Sequence, residues 1–193
     1  MNTVMKSILI CDDEPMILME LKAMLTELGF ESVLECGDGK RAVDIALGSF
    51  PDMVVMDVAM PGMDGLKAAA EIKKKLKIPI VLLTNCYDAE TVKHATACGI
   101  ASILTKPLRM QDLLPAIEIA FAHTYELETL KEKVEDLKEI IENRKVIEKA
   151  KGLLMEKDKL SEADAYRVIQ KKAMDDRKTL RQVADAVLKA HNK

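Results

Sequence analysis

The sequence of 193 residues contains no tryptophan, and aromatic residues make up only 3 % of it. Tyr166 is the only aromatic residue after position 125, which argues against the base-stacking platforms of RRM-like or OB-like proteins. No apolar run approaches the length that spans a membrane, and the N-terminus has no basic-then-apolar signal sequence. The four cysteines show no CxxC pair or other metal spacing. We therefore expect free thiols in a cytoplasmic protein.

Charge is distributed unevenly along the chain, although the net charge is only −3. Residues 1–125 have a net charge of −5, and residues 144–193 have a net charge of +6. An acidic first part with a basic tail is expected when only the tail meets a polyanion. Two ordinary solvated surfaces remain the alternative.

Short apolar runs alternate with helical stretches in the first part of the chain. The runs are "SILIC", "SVLEC", "DMVVM", "IPIVLLT" and "ASILT", and the helical stretches are residues 15–28, 40–49, 66–76 and 89–97. Buried strands joined by helical crossovers predict a parallel sheet covered on both faces. In such sheets ligands bind beyond the carboxyl ends of the strands.

Polar residues follow four of these strands. Asp12 and Asp13 follow the first, Asp57 ends the third, Thr84 ends the fourth and Lys106 follows the fifth. Each of these alone is more often a turn or a helix cap. Together, three clustered carboxylates need a cation, and oxygen ligands favour Mg²⁺. A lysine and a hydroxyl beside Mg²⁺ can hold the oxygens of a phosphoryl group, and one carboxylate can act as the nucleophile. Asp57 is the best placed of the three carboxylates to act as the nucleophile.

The motifs "CDDE", "MDVAMPGMDG", "LLT" and "TKP" resemble the receiver domain of two-component response regulators over residues 5–123. The resemblance implies that Asp57 accepts a phosphoryl group from a sensor histidine kinase. It implies Mg²⁺ held by Asp12, Asp13, Asp57 and the Ala59 carbonyl. Thr84 and Lys106 would bind the phosphoryl oxygens.

The sequence departs from the receiver pattern at two positions. Ile103 stands where receivers commonly have tyrosine or phenylalanine, which leaves the aromatic part of the usual switch in question. Asn85 stands where a small residue is usual, and it is expected to restrict entry to the phosphoryl site. The resemblance also implies a cis peptide bond between Lys106 and Pro107.

A long helix of about 60 Å is predicted after Lys106, at about 1.5 Å per residue. Apolar residues repeat along it at alternating spacings of three and four, as in a coiled-coil seam. We expect two chains to pair in parallel along this seam, and packing of the helix against the first domain is the alternative. The seam consists of Leu127, Leu130, Val134, Leu137 and Ile141.

Two further helices are predicted near the C-terminus, over residues 162–175 and 180–191. Ser161 with Asp164 opens the first, and Thr179 with Gln182 opens the second. With the end of the long helix they would form a small three-helix core. The facing apolar residues are predicted to be Tyr166, Ile169, Ala173 and Met174 on one helix and Leu180, Val183, Ala184 and Val187 on the other.

The stretches "RKVIEKAKGLLM", "SEADAYRVIQKKAM" and "LRQVADAVL" resemble the ANTAR domain over residues 127–189. That resemblance implies binding to paired hairpins in leader transcripts, which stops a terminator from forming. Gly152 would let RNA approach the basic face of the helix, and close helix packing is the alternative. The candidate RNA-binding residues are Arg144, Lys145, Lys149, Lys151, Gly152, Arg167, Lys171, Arg177, Lys178 and Arg181.

The sequence thus predicts an α/β doubly wound, flavodoxin-like receiver over residues 1–123, with five parallel strands. A coiled-coil linker helix follows over residues 124–142, and a three-helix ANTAR domain over residues 143–193. We expect a phosphorylation-controlled antiterminator that dimerises when phosphorylated and is a switch more than an enzyme. The alternatives are a DNA-binding response regulator and a receiver that regulates a partner protein through its coiled coil.

Overall fold

The structure, a computed structural model, describes residues 7–86, 88–100 and 102–191. The chain divides into two compact units between Glu128 and Thr129. The strands within the described residues are β1 (Ser7–Cys11), β2 (Ser32–Cys36), β3 (Met53–Asp57), β4 (Ile80–Thr84) and β5 (Ser102–Thr105). The helices are α1 (Pro15–Glu27), α2 (Gly39–Ser49), α3 (Gly65–Lys75), α4 (Ala89–Ala97), α5 (Met110–Asp158), α6 (Glu162–Asp176) and α7 (Leu180–His191).

The first unit is built around one parallel sheet with the strand order β2-β1-β3-β4-β5. Successive strand residues point to opposite faces, so each strand supplies two separate cores. Leu9 and Val54 pack in one core with α2 and α3, whereas Ile8 and Val55 pack in the other with α1 and α5. This confirms the predicted doubly wound α/β fold.

The predicted elements agree with the structure to within one or two residues at most ends. The third apolar run begins one residue too early: Asp52 precedes β3, and its N–H donates to the Ser7 carbonyl at 2.9 Å. Residues 78 and 79 precede β4 and do not belong to it. Ala101, predicted as the start of the fifth strand, lies outside the described residues, as do residues 1–6, 192 and 193 of the predicted domains.

The second unit is a three-helix core formed by the end of α5 with α6 and α7. Both predicted helix starts are confirmed: Ser161 Oγ accepts from the Asp164 N–H, and Thr179 Oγ1 accepts from the Gln182 N–H. Helix α5 continues through Gly152 to Asp158. The buried residues of this core are Ala150, Leu154, Ala165, Ile169, Ala173, Val183 and Ala184.

Two predicted members of that core are wrong. Met174 is 74 % exposed and Tyr166 is 39 % exposed, whereas Ala165 is fully buried. The buried face of α6 therefore runs through Ala165, Ile169 and Ala173 and differs slightly from the predicted face. Its inward stripe consists of small residues at Ala165 and Ala173 around Ile169, which allows the three helices to approach closely.

Candidate functional site

The predicted polar residues meet at the carboxyl edge of the sheet, around the point where the strand order reverses. β1 and β3 are neighbours, although the chain visits β2 between them. Asp12 directly follows β1, Asp57 ends β3, Thr84 ends β4 and Lys106 follows β5. Adjacent parallel strands thus bring together residues that are far apart in the sequence, as predicted.

Lys106 joins two of the carboxylates. Its Nζ lies 2.7 Å from Asp12 Oδ2 and 3.0 Å from Asp57 Oδ2. Burial raises the pKa of the Asp57 carboxyl above its ordinary value, against the opposing effect of the Lys106 ammonium. Burial alone would lower the pKa of Lys106, but its hydrogen bonds with Asp12 and Asp57 outweigh this and raise it.

The three aspartates fit a divalent cation. One carboxylate oxygen from each of Asp12, Asp13 and Asp57 lies within 4.8 Å of the others. Within the described residues, Asp57 Oδ1 is buried and has no hydrogen-bond partner, which is costly for a carboxylate. The three carboxylates and the single lysine together also leave two uncompensated negative charges, which a divalent ion would balance. An all-oxygen ligand set suits Mg²⁺. Coordination of the ion by the Ala59 carbonyl remains a prediction.

Backbone contacts help to hold the loop after β3. The Val58 N–H donates to the Leu83 carbonyl, and the Gly65 N–H donates to the Val58 carbonyl, both at 2.9 Å. A Cβ at Gly65 would overlap the carbonyl oxygen of Asp57. Gly65 therefore lets α3 begin directly against the backbone of the acidic residue that ends β3.

Thr84 is buried, and its hydroxyl is already engaged. Oγ1 donates to the Cys86 carbonyl at 2.8 Å and accepts from the Cys86 N–H at 3.2 Å. Asn85 is exposed next to it, and Ile103 packs partly buried against the core. The predicted cis bond between Lys106 and Pro107 is present.

Most candidate RNA-binding residues lie on the surface of the second unit. Arg144, Lys149, Lys171 and Arg177 are exposed and form no ion pair with any part of the chain that the structure describes. Lys145, Arg167 and Lys178 are exposed with loose pairs to acids near them in sequence, at 3.6, 3.7 and 3.3 Å. These residues carry positive charge with little local neutralisation, which suits contacts to phosphates.

Lys151 differs from the other candidates. Lys151 is only 7 % exposed, and its Nζ lies 2.7 Å from a carboxylate oxygen of Glu162 and 3.0 Å from one of Glu148. The pKa of Lys151 is raised by these two carboxylates, and the pKa of Glu162 is lowered by the ammonium. The geometry contradicts an exposed RNA contact at Lys151. The residue links α5 to the start of α6.

Arg181 and Arg177 have structural features that the sequence did not reveal. Arg181 Nη1 donates to Asn143 Oδ1 at 2.8 Å, which ties α7 to α5. Arg177 ends α6 in the left-handed conformation, with φ of 52°, and its N–H bonds to carbonyls of the last turn. Glycine or asparagine usually occupies such a position.

Gly152 is exposed, and no described atom beyond its chain neighbours and the adjacent backbone of α5 lies within 4 Å of the position that a Cβ would take. The packing explanation for this glycine is therefore wrong for the single chain.

Tyr166 was missed as a surface residue, and it lies next to the exposed Arg167 on α6. Its partial exposure could not be deduced from helical periodicity alone.

The predicted seam on α5 is largely uncovered. Leu130 and Val134 are both 49 % exposed, and Leu137 and Ile141 are 57 % and 55 % exposed. Leu127 is partly buried. Ile140, which the heptad pattern did not include, is 61 % exposed beside them. Within the described chain, four of the five seam residues thus lack an apolar cover.

A parallel five-stranded sheet with a buried aspartate, two further carboxylates and a lysine at its switch point is the architecture of a receiver domain. The chain belongs to the response regulators. Residues 8–118 match the response regulator receiver domain, and residues 135–188 match the ANTAR domain. No helix in the described residues is both long and apolar enough to cross a membrane.

One relative spans nearly the whole chain, and others match its receiver domain. The transcriptional regulatory protein PdtaR of Mycobacterium tuberculosis is 45 % identical over 183 residues, which is 95 % of this chain and 89 % of PdtaR. The chemotaxis protein CheY of Bacillus subtilis is 35 % identical over 57 % of this chain and 92 % of its own. A receiver domain of an HD domain-containing protein from Pseudomonas fluorescens has a TM-score of 0.58 and 27 % identity, covering 63 % of this chain and 98 % of its own.

Proposed function

We propose that this chain is a cytoplasmic, phosphorylation-controlled regulator that binds paired RNA hairpins in leader transcripts and promotes transcription antitermination. A sensor histidine kinase supplies the phosphoryl group. The observation that carries the first half is the buried Asp57 with its unpartnered Oδ1 beside Lys106. The exposed and unpaired basic residues of the ANTAR domain support the second half.

The phosphotransfer step follows from the position of Asp57. Its Oδ1 attacks the phosphorus of the donor phosphohistidine, the P–N bond breaks, and the bonding electrons leave with the imidazole nitrogen. The product is an acyl phosphate on Asp57. Lys106, hydrogen-bonded to Oδ2, offsets the added negative charge. A bound Mg²⁺, held by Asp12, Asp13 and Asp57, would supply positive charge against the phosphoryl oxygens.

The chain acts as a switch and not as an enzyme beyond slow loss of its own phosphoryl group. Phosphorylation releases Thr84 from Cys86 and turns its hydroxyl toward the acceptor. Because Ile103 replaces the usual aromatic residue, this step involves the loop after β4 and no aromatic rotation.

The kinase has exposed apolar residues to contact near the acidic edge, since Met16 and Met19 on α1 are 70 % and 62 % exposed.

Dimerisation along the exposed seam of α5 is the output of the switch. Two chains that pair in parallel would cover Leu130, Val134, Leu137 and Ile141. Two ANTAR domains would then meet two hairpins of one transcript. The second contact forms at an effective concentration in the millimolar range, which raises affinity on the order of 100-fold or more.

The acceptor is tested by labelling the full chain with acetyl phosphate. Asp57→Asn should keep the circular dichroism spectrum of the wild type and abolish labelling. Removal of Mg²⁺ should also abolish labelling of the wild type. Labelling that survives the substitution would place the nucleophile elsewhere, with Asp12 and Asp13 as the next candidates.

The nucleic acid is tested by comparing a transcript with two hairpins, a transcript with one hairpin and a matched DNA duplex. We expect salt-dependent binding to RNA, with a gain on the two-hairpin transcript after phosphorylation. Tighter binding to the duplex would favour a DNA-binding regulator. Binding to neither would favour regulation of a partner protein through α5.

A further inference from the structure

Two buried cysteines face each other at the carboxyl end of the sheet. Cys11 and Cys36 are paired residues of the neighbouring strands β1 and β2. Their sulfurs are 2.8 Å apart, with one thiol donating a hydrogen bond to the other. This separation is only about 0.8 Å longer than a disulfide bond of about 2.05 Å. Both side chains belong to the core that faces α2 and α3.

The pair lies directly against the phosphoacceptor site. Cys11 is covalently followed by Asp12, and the Asp12 N–H donates to the Cys36 carbonyl at 3.1 Å. Asp12 in turn contacts Lys106 at 2.7 Å. A change in the distance between the two sulfurs would therefore act on a carboxylate of the acidic cluster through one peptide unit.

The two thiols also differ in access. Cys11 is fully buried on an inner strand, whereas Cys36 is 4 % exposed and ends β2, the edge strand of the sheet. Neighbouring strands lie about 4.8 Å apart, which falls within the Cα separations that disulfides span, roughly 4.4–6.8 Å. The backbone can therefore accept a bond between these residues with a small local adjustment.

We propose that Cys11 and Cys36 are an oxidation site, and that hydrogen peroxide converts them into an intramolecular disulfide that slows phosphorylation of the adjacent acceptor. The sulfur of Cys36 attacks the peroxide, the O–O bond breaks, and a sulfenic acid and water are formed. The Cys11 sulfur then attacks the Cys36 sulfur and displaces a second water. Two thiols are oxidised, and one peroxide is reduced to two water molecules.

The expected effect on labelling follows from geometry. Closing the sulfur–sulfur gap draws the ends of β1 and β2 together and shifts Asp12 by a few tenths of an ångström. Since a misplacement of about 1 Å in a reacting constellation costs roughly 100-fold in rate, the smaller shift should lower the labelling rate about threefold or more. A thiol reductant should restore the rate.

The test uses the full chain with Cys86→Ser and Cys98→Ser, which leaves only the buried pair. The protein is treated with hydrogen peroxide, alkylated, unfolded and digested with trypsin without reductant. Trypsin separates residues 7–22 from residues 23–40, because it cleaves after Lys6, Lys22 and Lys40. A cross-linked species of these two peptides, lost on reduction, is the expected result.

Cys36→Ser in the same background is the matched control, with Cys36→Ala as a second variant if the serine perturbs folding. Either control should lack the cross-link and should keep its labelling rate by acetyl phosphate after peroxide treatment. Separate peptides that both remain alkylatable after oxidation would overturn the oxidation site. A cross-link between two chains would also overturn it. A cross-linked chain that labels at the unoxidised rate would overturn the coupling to phosphorylation.

Discussion

Arg177→Gly separates the stability of the ANTAR domain from its RNA affinity. Arg177 has a left-handed backbone with φ of 52°, and its exposed side chain forms no ion pair within the described residues. That conformation costs a non-glycine residue roughly 1–2 kcal/mol. The greater freedom of glycine in the unfolded chain offsets roughly 0.5–1 kcal/mol of this. The substitution should therefore stabilise the unit by about 0.5–1 kcal/mol.

RNA binding should change in the opposite direction. Loss of one phosphate contact removes one released counterion, so the slope of log affinity against log salt should fall by about 0.7–0.9. The assays are amide hydrogen exchange of α6 and α7 in the full chain, which reports local stability, and hairpin titrations at several salt concentrations. We expect slower exchange together with weaker and less salt-dependent binding.

Lys159→Gly is a control that the chain itself supplies. Lys159 is also exposed with φ of 52°, and its replacement removes the same charge, but it is not among the predicted RNA contacts. It should slow exchange to a similar extent and leave hairpin affinity nearly unchanged. Equal losses of affinity in both variants would mean that overall charge matters and not a contact at Arg177. Faster exchange in Arg177→Gly alone would refute the assignment of backbone strain.

Three further predictions concern the linker, the basic surface and the acceptor loop. Val134→Lys with Leu137→Glu should abolish the phosphorylation-dependent gain on a two-hairpin RNA and keep the chain monomeric in sedimentation; a wild type that is dimeric in both states would exclude the pairing switch. Lys149→Glu should weaken hairpin binding several-fold, whereas Lys151→Met should mainly speed hydrogen exchange at the start of α6. A larger loss of hairpin affinity in Lys151→Met than in Lys149→Glu would restore Lys151 as an RNA contact. Gly65→Ala should lower the melting temperature and the labelling rate together, because its Cβ overlaps the Asp57 carbonyl, and unchanged values would contradict that overlap.

The acidic site was predictable because parallel topology determines where strand ends meet. Once β1, β3, β4 and β5 were recognised, the convergence of Asp12, Asp57 and Lys106 needed only the rule that ligands bind beyond the carboxyl ends. The distances within the site did not follow, since they depend on backbone contacts such as that of Gly65 with Asp57.

The basic surface was less predictable, because a helical pattern gives a face but not its neighbours. Lys151 has a long apolar stem that can be buried while its ammonium stays paired. Its partner Glu162 lies on another helix, so the pairing could not be inferred from spacing along α5. Tyr166 was misplaced for a related reason, since the close approach of α6 to its neighbours is set by Ala165 and Ala173.

The two hydrogen bonds between Thr84 and Cys86 bear on how leaky the proposed switch is. A net hydrogen bond contributes about 0.5–1.5 kcal/mol, so the pair holds the hydroxyl in its unphosphorylated position by about 1–3 kcal/mol. Without any phosphoryl group, the other rotamer would then be populated at roughly 1–15 %. Basal signalling would thus be set by one tight turn, and a single substitution in the loop after β4 could adjust background expression without touching the kinase or the RNA.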